Sequence, residues 1–214
     1  MQLYKVLKNR KISEGTFVLR TERPRTEVFA GQCFSIGLPE LAINREYSIF
    51  SSPKHDYLEF LIREVPDGAV SVGLRNLNPG EEIYIGGPYG NFCLKEDDLK
   101  DTTYVFIATG TGVAPFYSFI QTFPDLKYYL FHGVRNQEDS ISSELTDSSS
   151  YFLAVSRPLQ PQKGKRVFDL MDEFEVKSDY KYYLCGNRNM ITEAVIYLRK
   201  KSVPGSSIFM ETFF

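Results

Sequence analysis

The residues of this chain whose types and spacing suit chemistry fall in three clusters, each beside a stretch that reads as a strand. Gly110-Thr111-Gly112-Val113-Ala114-Pro115 follows a run of apolar residues. Glycines there let backbone N–H groups approach an anion such as a phosphate. Pro115 suits the first turn of a helix, and the positive end of that helix favours the same charge. A glycine turn after a strand is also a common structural device, so the motif alone is a weak sign. Tyr183-Leu184-Cys185-Gly186-Asn187-Arg188-Asn189-Met190 again runs from a strand into a turn and a helix. Ligands of open parallel sheets bind at the carboxyl ends of strands, which allows both turns to line one crevice. Cys185 by itself reads as a small buried apolar residue. Arg45-Glu46-Tyr47-Ser48 opens a third strand. Strand alternation puts Arg45 and Tyr47 on one face and Ser48 on the other, unless the backbone bends. A guanidinium, an aromatic ring and a hydroxyl in such proximity suit a phosphate, a flat ring and a ring heteroatom. The plainer alternative is an exposed arginine on an edge strand beside a half-buried tyrosine.

These clusters need elements to position them, and the chain supplies two kinds. Up to about residue 95, β-rich segments at 11–19, 33–38, 47–51, 57–63 and 82–86 lie between Gly and Pro turn signals. Strands this short and closely spaced predict an antiparallel barrel, interrupted by a helix over 69–76 that stops at Asn78-Pro79-Gly80. Beyond residue 101 the rhythm changes. The run TYVFIA at 103–108 suits a strand buried on both faces of a parallel sheet. Further strands are expected at 127–132, 150–156 and 180–184, with helices at 115–122, 142–146, 168–174 and 189–201. Strand–helix alternation predicts a doubly wound parallel sheet. The charged stretch KEDDLK suits a linker, so domains are expected at 1–97 and 98–214.

With 214 residues the chain can bury one large core or two compact ones. A formal charge of −2 gives no basic field for nucleic acid. Cys33, Cys93 and Cys185 are too few and too scattered for a disulfide framework, and they lack the spacing of a zinc or iron–sulfur site. No apolar run approaches the ~18 residues of a membrane span, and the start lacks an apolar signal region. A cytoplasmic protein with reduced cysteines, no metal site and no membrane partner is expected. With His55 and His132 as the only histidines, no Ser–His–Asp arrangement suggests itself.

The order REYS (45–48), GAVS (68–71), GGPYGNF (86–92), TGTGVAPF (109–116), LCGNRNM (184–190) and ETFF (211–214) resembles the ferredoxin/flavodoxin–NADP reductase family over nearly the whole chain. The resemblance implies an N-terminal antiparallel Greek-key β-barrel that binds FAD, followed by a doubly wound parallel α/β domain for NADP(H). It implies that Arg45 pairs with the flavin phosphate, that Tyr47 stacks on one face of the isoalloxazine, and that Ser48 bonds flavin N5. Gly68, Val70 and Ser71 resemble the turn and helix start that receive the flavin phosphates, although Ser71 also suits a simple N-cap. Thr109, Gly110, Thr111 and Gly112 resemble the nicotinamide-nucleotide pyrophosphate turn. Cys185, with Gly186 and Met190 after it, resembles the cysteine beside nicotinamide C4. Phe213 aligns with the terminal aromatic that covers the second isoalloxazine face. The family usually carries Tyr there, so this Phe keeps the stacking surface without the hydroxyl. Phe214 extends beyond and suits a cover for the flavin adenine, and Glu211 resembles the carboxylate of the proton path. Ser156, Arg157 and Arg166 match the family's NADP pattern, because a 2′-phosphate suits arginine better than the acidic residue that an NAD ribose prefers. Phe168 then suits the adenine, and a solvated basic loop is the bland alternative.

The activity so implied is hydride transfer between NADP(H) and bound FAD, with single electrons passing to or from ferredoxin or flavodoxin. Three other readings stand beside it: a free-flavin reductase on the same fold, a reductase component of an oxygenase system, and a nucleotide-binding module without catalysis. The oxygenase components usually add an iron–sulfur cluster, which three scattered cysteines do not ligate. Ser48, Cys185 and Glu211 weigh against the last, since binding alone does not require them.

Overall fold

A computed structural model of the chain describes residues 1–94, 99–145, 149–159 and 163–213, apart from the side chain of Phe213. Most of the KEDDLK stretch, Thr146 and the first serine of the 148–150 loop lie outside the described residues. By backbone contacts the chain forms two compact units, Met1–Leu94 with Ala114–Pro124, and Lys95–Val113 with Asp125–Phe214.

The first unit is a six-stranded antiparallel sheet of β1 (Gln2–Lys11), β2 (Thr16–Glu22), β3 (Cys33–Gly37), β4 (Asn44–Ser48), β5 (Tyr57–Arg63) and β6 (Glu82–Tyr89), in the order β4-β3-β6-β1-β2-β5. Just past β4, an antiparallel bridge between Ile49 and Phe60 joins the two end strands and closes the sheet on itself. Strands β1, β2, β5 and β6 keep the Greek-key order 4-1-2-3, with the β3–β4 hairpin inserted between β2 and β5 in the chain. Val6, Phe17, Leu19, Phe34, Ile36, Phe60 and Ile83 fill the interior.

The segment expected as one strand over 11–19 is in fact a hairpin, in which β1 turns at 12–15 into β2. Strand β1 is hard to see because Val6 alone is fully buried in it, while Leu3 and Leu7 face outward, so the period-two signal is missing. The strand expected at 47–51 begins three residues earlier.

Helix α1 (Ala69–Arg75) is held at its end by Asn9 of β1, whose Nδ2 lies 3.0 Å from the carbonyls of Leu74, Arg75 and Leu77. Helix α2 (Ala114–Thr122) also belongs to the first unit. Buried bonds run from Ser118 Oγ to the Ser51 carbonyl (2.7 Å) and between Ser52 Oγ and Thr122 Oγ1 (3.0 Å), and Tyr117 stacks on Phe50.

The second unit is a parallel sheet of β7 (Tyr104–Thr109), β8 (Tyr128–Val134), β9 (Tyr151–Val155), β10 (Lys181–Asn187) and β11 (Ile208–Phe213), in the order β11-β10-β7-β8-β9. Read from the other edge this is 3-2-1-4-5, the order of doubly wound folds, and it reverses between β7 and β10. Tyr104 to Ala108 are all fully buried, as the unbroken apolar run leads one to expect.

Helix α3 (Val167–Met171) is shorter than the expected 168–174, and the helix expected at 142–146 is a single 3-10 turn at Ser142–Glu144. Helix α4 (Arg188–Lys200) is capped by Asn187, whose Oδ1 accepts from Met190 N at 2.9 Å. Met190, Ile191, Ala194 and Leu198 recur at helical spacing and bury that face in the core of the unit. Residues 208–213, in which the sequence suggests no element, add β11 as a parallel partner of β10.

Candidate functional site

In the first unit the β3–β4 hairpin carries Arg45 toward its turn end and Ser48 at its other end, where it pairs with Cys33. Arg45 pairs with Ile36 and Asn44 with Gly37, the last residue of β3. The next residue, Leu38, lies so close to Gly73 of α1 that a Cβ on Gly73 would fall 2.2 Å from Leu38 Cδ1. The hairpin therefore brings Arg45 and α1 to the same end of the unit. Arg45 is exposed and donates from Nη1 to the Asn44 carbonyl at 2.8 Å. Tyr47 is half-buried against the barrel core. Burial pushes its phenol up to about 12, and the Arg45 charge pulls the other way. Ser48, the last residue of β4, is buried.

At the start of α1, Gly68 is the N-cap and no side chain caps the helix. Ser71 is not the N-cap. Its hydroxyl accepts from Val65 N (3.0 Å) and donates to the Gly68 carbonyl (3.3 Å), which closes the turn before the helix. Val70 points into the core, so only its backbone is available to a ligand. An uncapped helix start and the exposed guanidinium of Arg45 at one end of the unit are donors that fit nucleotide phosphates, and Tyr47 supplies a ring face.

In the second unit the two glycine turns sit side by side where the strand order reverses, the position at which such sheets bind ligands. Thr109 Oγ1 accepts from both Asn187 N (3.1 Å) and Asn187 Nδ2 (2.9 Å), so one side chain clasps the end of β7 to the end of β10. The approach requires glycine. A Cβ at Gly112 would lie 2.5 Å from the Cys185 carbonyl oxygen, and one at Gly186, where φ is +142°, would lie 2.3 Å from Thr109 Oγ1. Gly110 and Thr111 remain half-exposed at the turn.

Cys185 is completely buried and pairs in register with Ala108 and Glu211. Its thiol donates to Glu211 Oε2 at 4.0 Å, and burial first, then the Glu211 charge, raise its pKa well above the usual range. A neutral thiol beside a carboxylate is thus the resting arrangement. Met190 is buried beneath the α4 cap and acts as a core anchor. The backbone of Phe213 pairs with Asn187 at the end of β11, while its ring and all of Phe214 lie outside the described residues.

The predicted adenosine end gathers at the end of β9. A Cβ on Gly164 would fall 2.2 Å from the Ser156 carbonyl oxygen, and Lys165 N donates to the Val155 carbonyl at 2.9 Å, so the segment leading to Arg166 returns beside Ser156 and Arg157. Arg157 is exposed, Ser156 Oγ donates to the Val134 carbonyl (3.2 Å), and Arg166 forms an exposed ion pair with Glu193. The Phe168 ring leans on Tyr197 at 5.8 Å between centroids.

One residue of this unit went unassigned in the sequence. His132 on β8 is completely buried, with Nε2 2.8 Å from the Gly110 carbonyl oxygen and Nδ1 2.8 Å from the Tyr151 hydroxyl. Burial holds its pKa down at about 4, against the Gly110 bond and the Asp139 charge, which both raise it. Nothing in LFHGV distinguishes this histidine from a core residue; only the pairing of Ala108 with His132 puts it under the glycine turn.

Comparison with known proteins agrees with the two units. The oxidoreductase FAD-binding domain family matches residues 4–93, and the oxidoreductase NAD-binding domain family matches residues 106–195. The chain is 27% identical over 221 residues to the toluate 1,2-dioxygenase electron transfer component of Pseudomonas putida, covering 95% of this chain and 65% of that protein. It is 32% identical over 142 residues to the flavodoxin/ferredoxin–NADP reductase of Escherichia coli K12, covering 63% of this chain and 57% of that one. The chain spans 60% to 65% of the length of the dioxygenase and phenol hydroxylase components it matches. Among solved structures, a ferredoxin NADP+ reductase from Neisseria gonorrhoeae superposes with a TM-score of 0.86 at 22% identity, covering 100% of this chain and 98% of that one. With an FAD-binding barrel followed by an NAD-binding parallel sheet, the chain belongs to the ferredoxin reductase-like family of flavoprotein oxidoreductases.

Proposed function

We propose that this oxidoreductase takes its reducing equivalents from NADPH and passes single electrons to a ferredoxin or flavodoxin. The observation that carries the reading is the clasp of Thr109 and Asn187, which joins two glycine turns where the strand order reverses. FAD, when bound, would supply the redox chemistry, exchange of a hydride with the nicotinamide and of single electrons with a carrier. In this reading 1–97 is the flavin domain and 98–214 the nicotinamide domain.

The chain's own residues bind, orient and protect. Arg45 and the uncapped start of α1, with the backbone of Gly68 and Val70, hold the flavin phosphates, Tyr47 carries the ring and Ser48 bonds its N5. Ser71 acts indirectly, by fixing the turn. In the second unit Gly110, Thr111 and Gly112 bring backbone N–H groups to the dinucleotide pyrophosphate. Gly186 and Met190 shape the turn that places Cys185, and the Glu211 carboxylate accepts the hydrogen bond of that buried thiol. Ser156, Arg157 and Arg166 supply the charge for a 2′-phosphate, with Phe168 beside the adenine.

Purified protein is expected to carry a flavin absorption spectrum, with FAD as the released cofactor, and to be bleached by NADPH faster than by NADH. A colourless protein that takes up no flavin would overturn the reading. A second reading, reductase component of an oxygenase system, is favoured by the similarity to the toluate and anthranilate 1,2-dioxygenase electron transfer components, both longer than this chain. Reduction rates with ferredoxin, flavodoxin and an oxygenase terminal component, side by side, separate the two.

A further inference from the structure

A trans peptide points its carbonyl and its N–H in opposite directions. Gly110 contributes the carbonyl of the peptide whose N–H belongs to Thr111, at the very turn read above as the pyrophosphate cradle. With φ at +55°, Gly110 has backbone freedom that other residues lack, so something must select which way this peptide faces. Beneath it, His132 Nε2 stands 2.8 Å from the Gly110 oxygen. A carbonyl only accepts, so Nε2 carries the proton. Nδ1 of the neutral ring is then an acceptor, and it takes the Tyr151 hydroxyl at 2.8 Å. Tyr151 in turn lies beside the 140–142 turn: burial raises its phenol pKa, and the Ser142, Ile141 and Ser140 groups there pull it down. The imidazole stays neutral at ordinary pH because it is buried, which keeps this single tautomer in place.

We infer that His132 is a positioning residue for the nucleotide site: by holding the Gly110 carbonyl down toward β8 it turns the Thr111 N–H the other way, toward the pyrophosphate, with Tyr151 fixing the tautomer. The inference rests on the reading of the glycine turn as the pyrophosphate cradle, and the test keeps the two apart.

The flavin-loaded full chain is titrated calorimetrically with 2′-phospho-ADP-ribose, which carries the pyrophosphate, and with adenosine 2′-monophosphate, which lacks it. In the parent protein the first is expected to bind more tightly. Equal affinities would overturn the reading of the turn itself. Given a difference, His132→Phe is expected to weaken 2′-phospho-ADP-ribose about tenfold, the scale of one misdirected hydrogen bond, while leaving adenosine 2′-monophosphate unchanged. His132→Gln, whose amide again offers a donor to Gly110, is expected to restore most of the loss. An undiminished preference in His132→Phe, or equal losses with both nucleotides, would overturn the positioning role. Should His132→Phe not fold, Tyr151→Phe carries the test. A loss of about two- to threefold confined to the pyrophosphate nucleotide is expected, and no loss, or the same loss with both, would overturn the proposal.

Discussion

The start of α1 and the Gly110–Gly112 turn suit the same ligand chemistry, a phosphate, yet the two units build them differently. In the first unit the charge sits on an exposed side chain, Arg45, and the turn before the helix is closed by a hydroxyl, Ser71. In the second unit the turn itself carries no charge. It is made from backbone, two close glycine approaches and a buried imidazole. An exposed arginine serves its ligand without holding up the fold. A packed turn cannot be altered at the ligand without being altered in the core. Binding and stability should therefore separate in the first unit and move together in the second.

The sharpest way to break that contrast is Gly112→Ala. Its new Cβ would meet the Cys185 carbonyl at 2.5 Å, and backbone cannot give way as a flexible side chain can. Overpacking of this kind costs about 3 kcal/mol or more where nothing yields, so urea unfolding and nucleotide binding should both suffer while flavin is retained. Unchanged stability would mean that the turn is less tightly built than its geometry implies.

The next effect is a pH dependence. His132 has a folded pKa of about 4, below its unfolded value of 6.5. Between those values the unfolded chain binds more protons, so the contribution is complete above pH 6.5 and is lost as pH falls toward 4. It amounts to about 3 kcal/mol at most. Chemical denaturation across that window should show the slope, and His132→Gln should remove it. A slope unchanged in His132→Gln would assign it to other groups.

In the first unit, Arg45→Ala should weaken FAD retention by ~1.5–3 kcal/mol, as expected for a lost charge-assisted bond, with no change in the unfolding midpoint of the flavin-free protein. A stability loss matching the binding loss would erase the difference between the units. The smallest expected effect is at Arg157. Because that side chain is exposed, Arg157→Ala should cost NADPH about 1 kcal/mol, roughly fivefold in affinity, and leave NADH unchanged. Equal losses with both would show that Arg157 does not read the 2′-phosphate.

Much of this molecule is legible in one dimension. The buried strand at Tyr104–Thr109 announces itself because both its faces are covered, so no polar residue interrupts it. The turn signals of the first unit mark its short strands, and α1 is recognisable from Gly68 to Asn78-Pro79-Gly80 because its start and stop are local chemistry. Strand β1 escaped since a single fully buried side chain, Val6, leaves no period to read. Strand β11 escaped since a strand at a sheet's edge is defined by its neighbour, and Cys185 with Glu211 becomes a pair only when β10 lies beside it.

The chain's own order of residues was enough to settle the two-part architecture and the residue types offered to a ligand, since turns, caps and apolar periods are properties of neighbours along the backbone. Strand order and side-chain direction are not. Only the folded chain decided that Thr109 and Asn187 would clasp two turns 78 residues apart, that Ser71 would close its own turn rather than cap the helix, and that His132 would lie under Gly110. The clasp depends on β10 lying beside β7 and the histidine contact on β8 lying beside it, and a hydrogen bond of 2.8 Å between neighbouring strands leaves no trace in the spacing of the residues that make it.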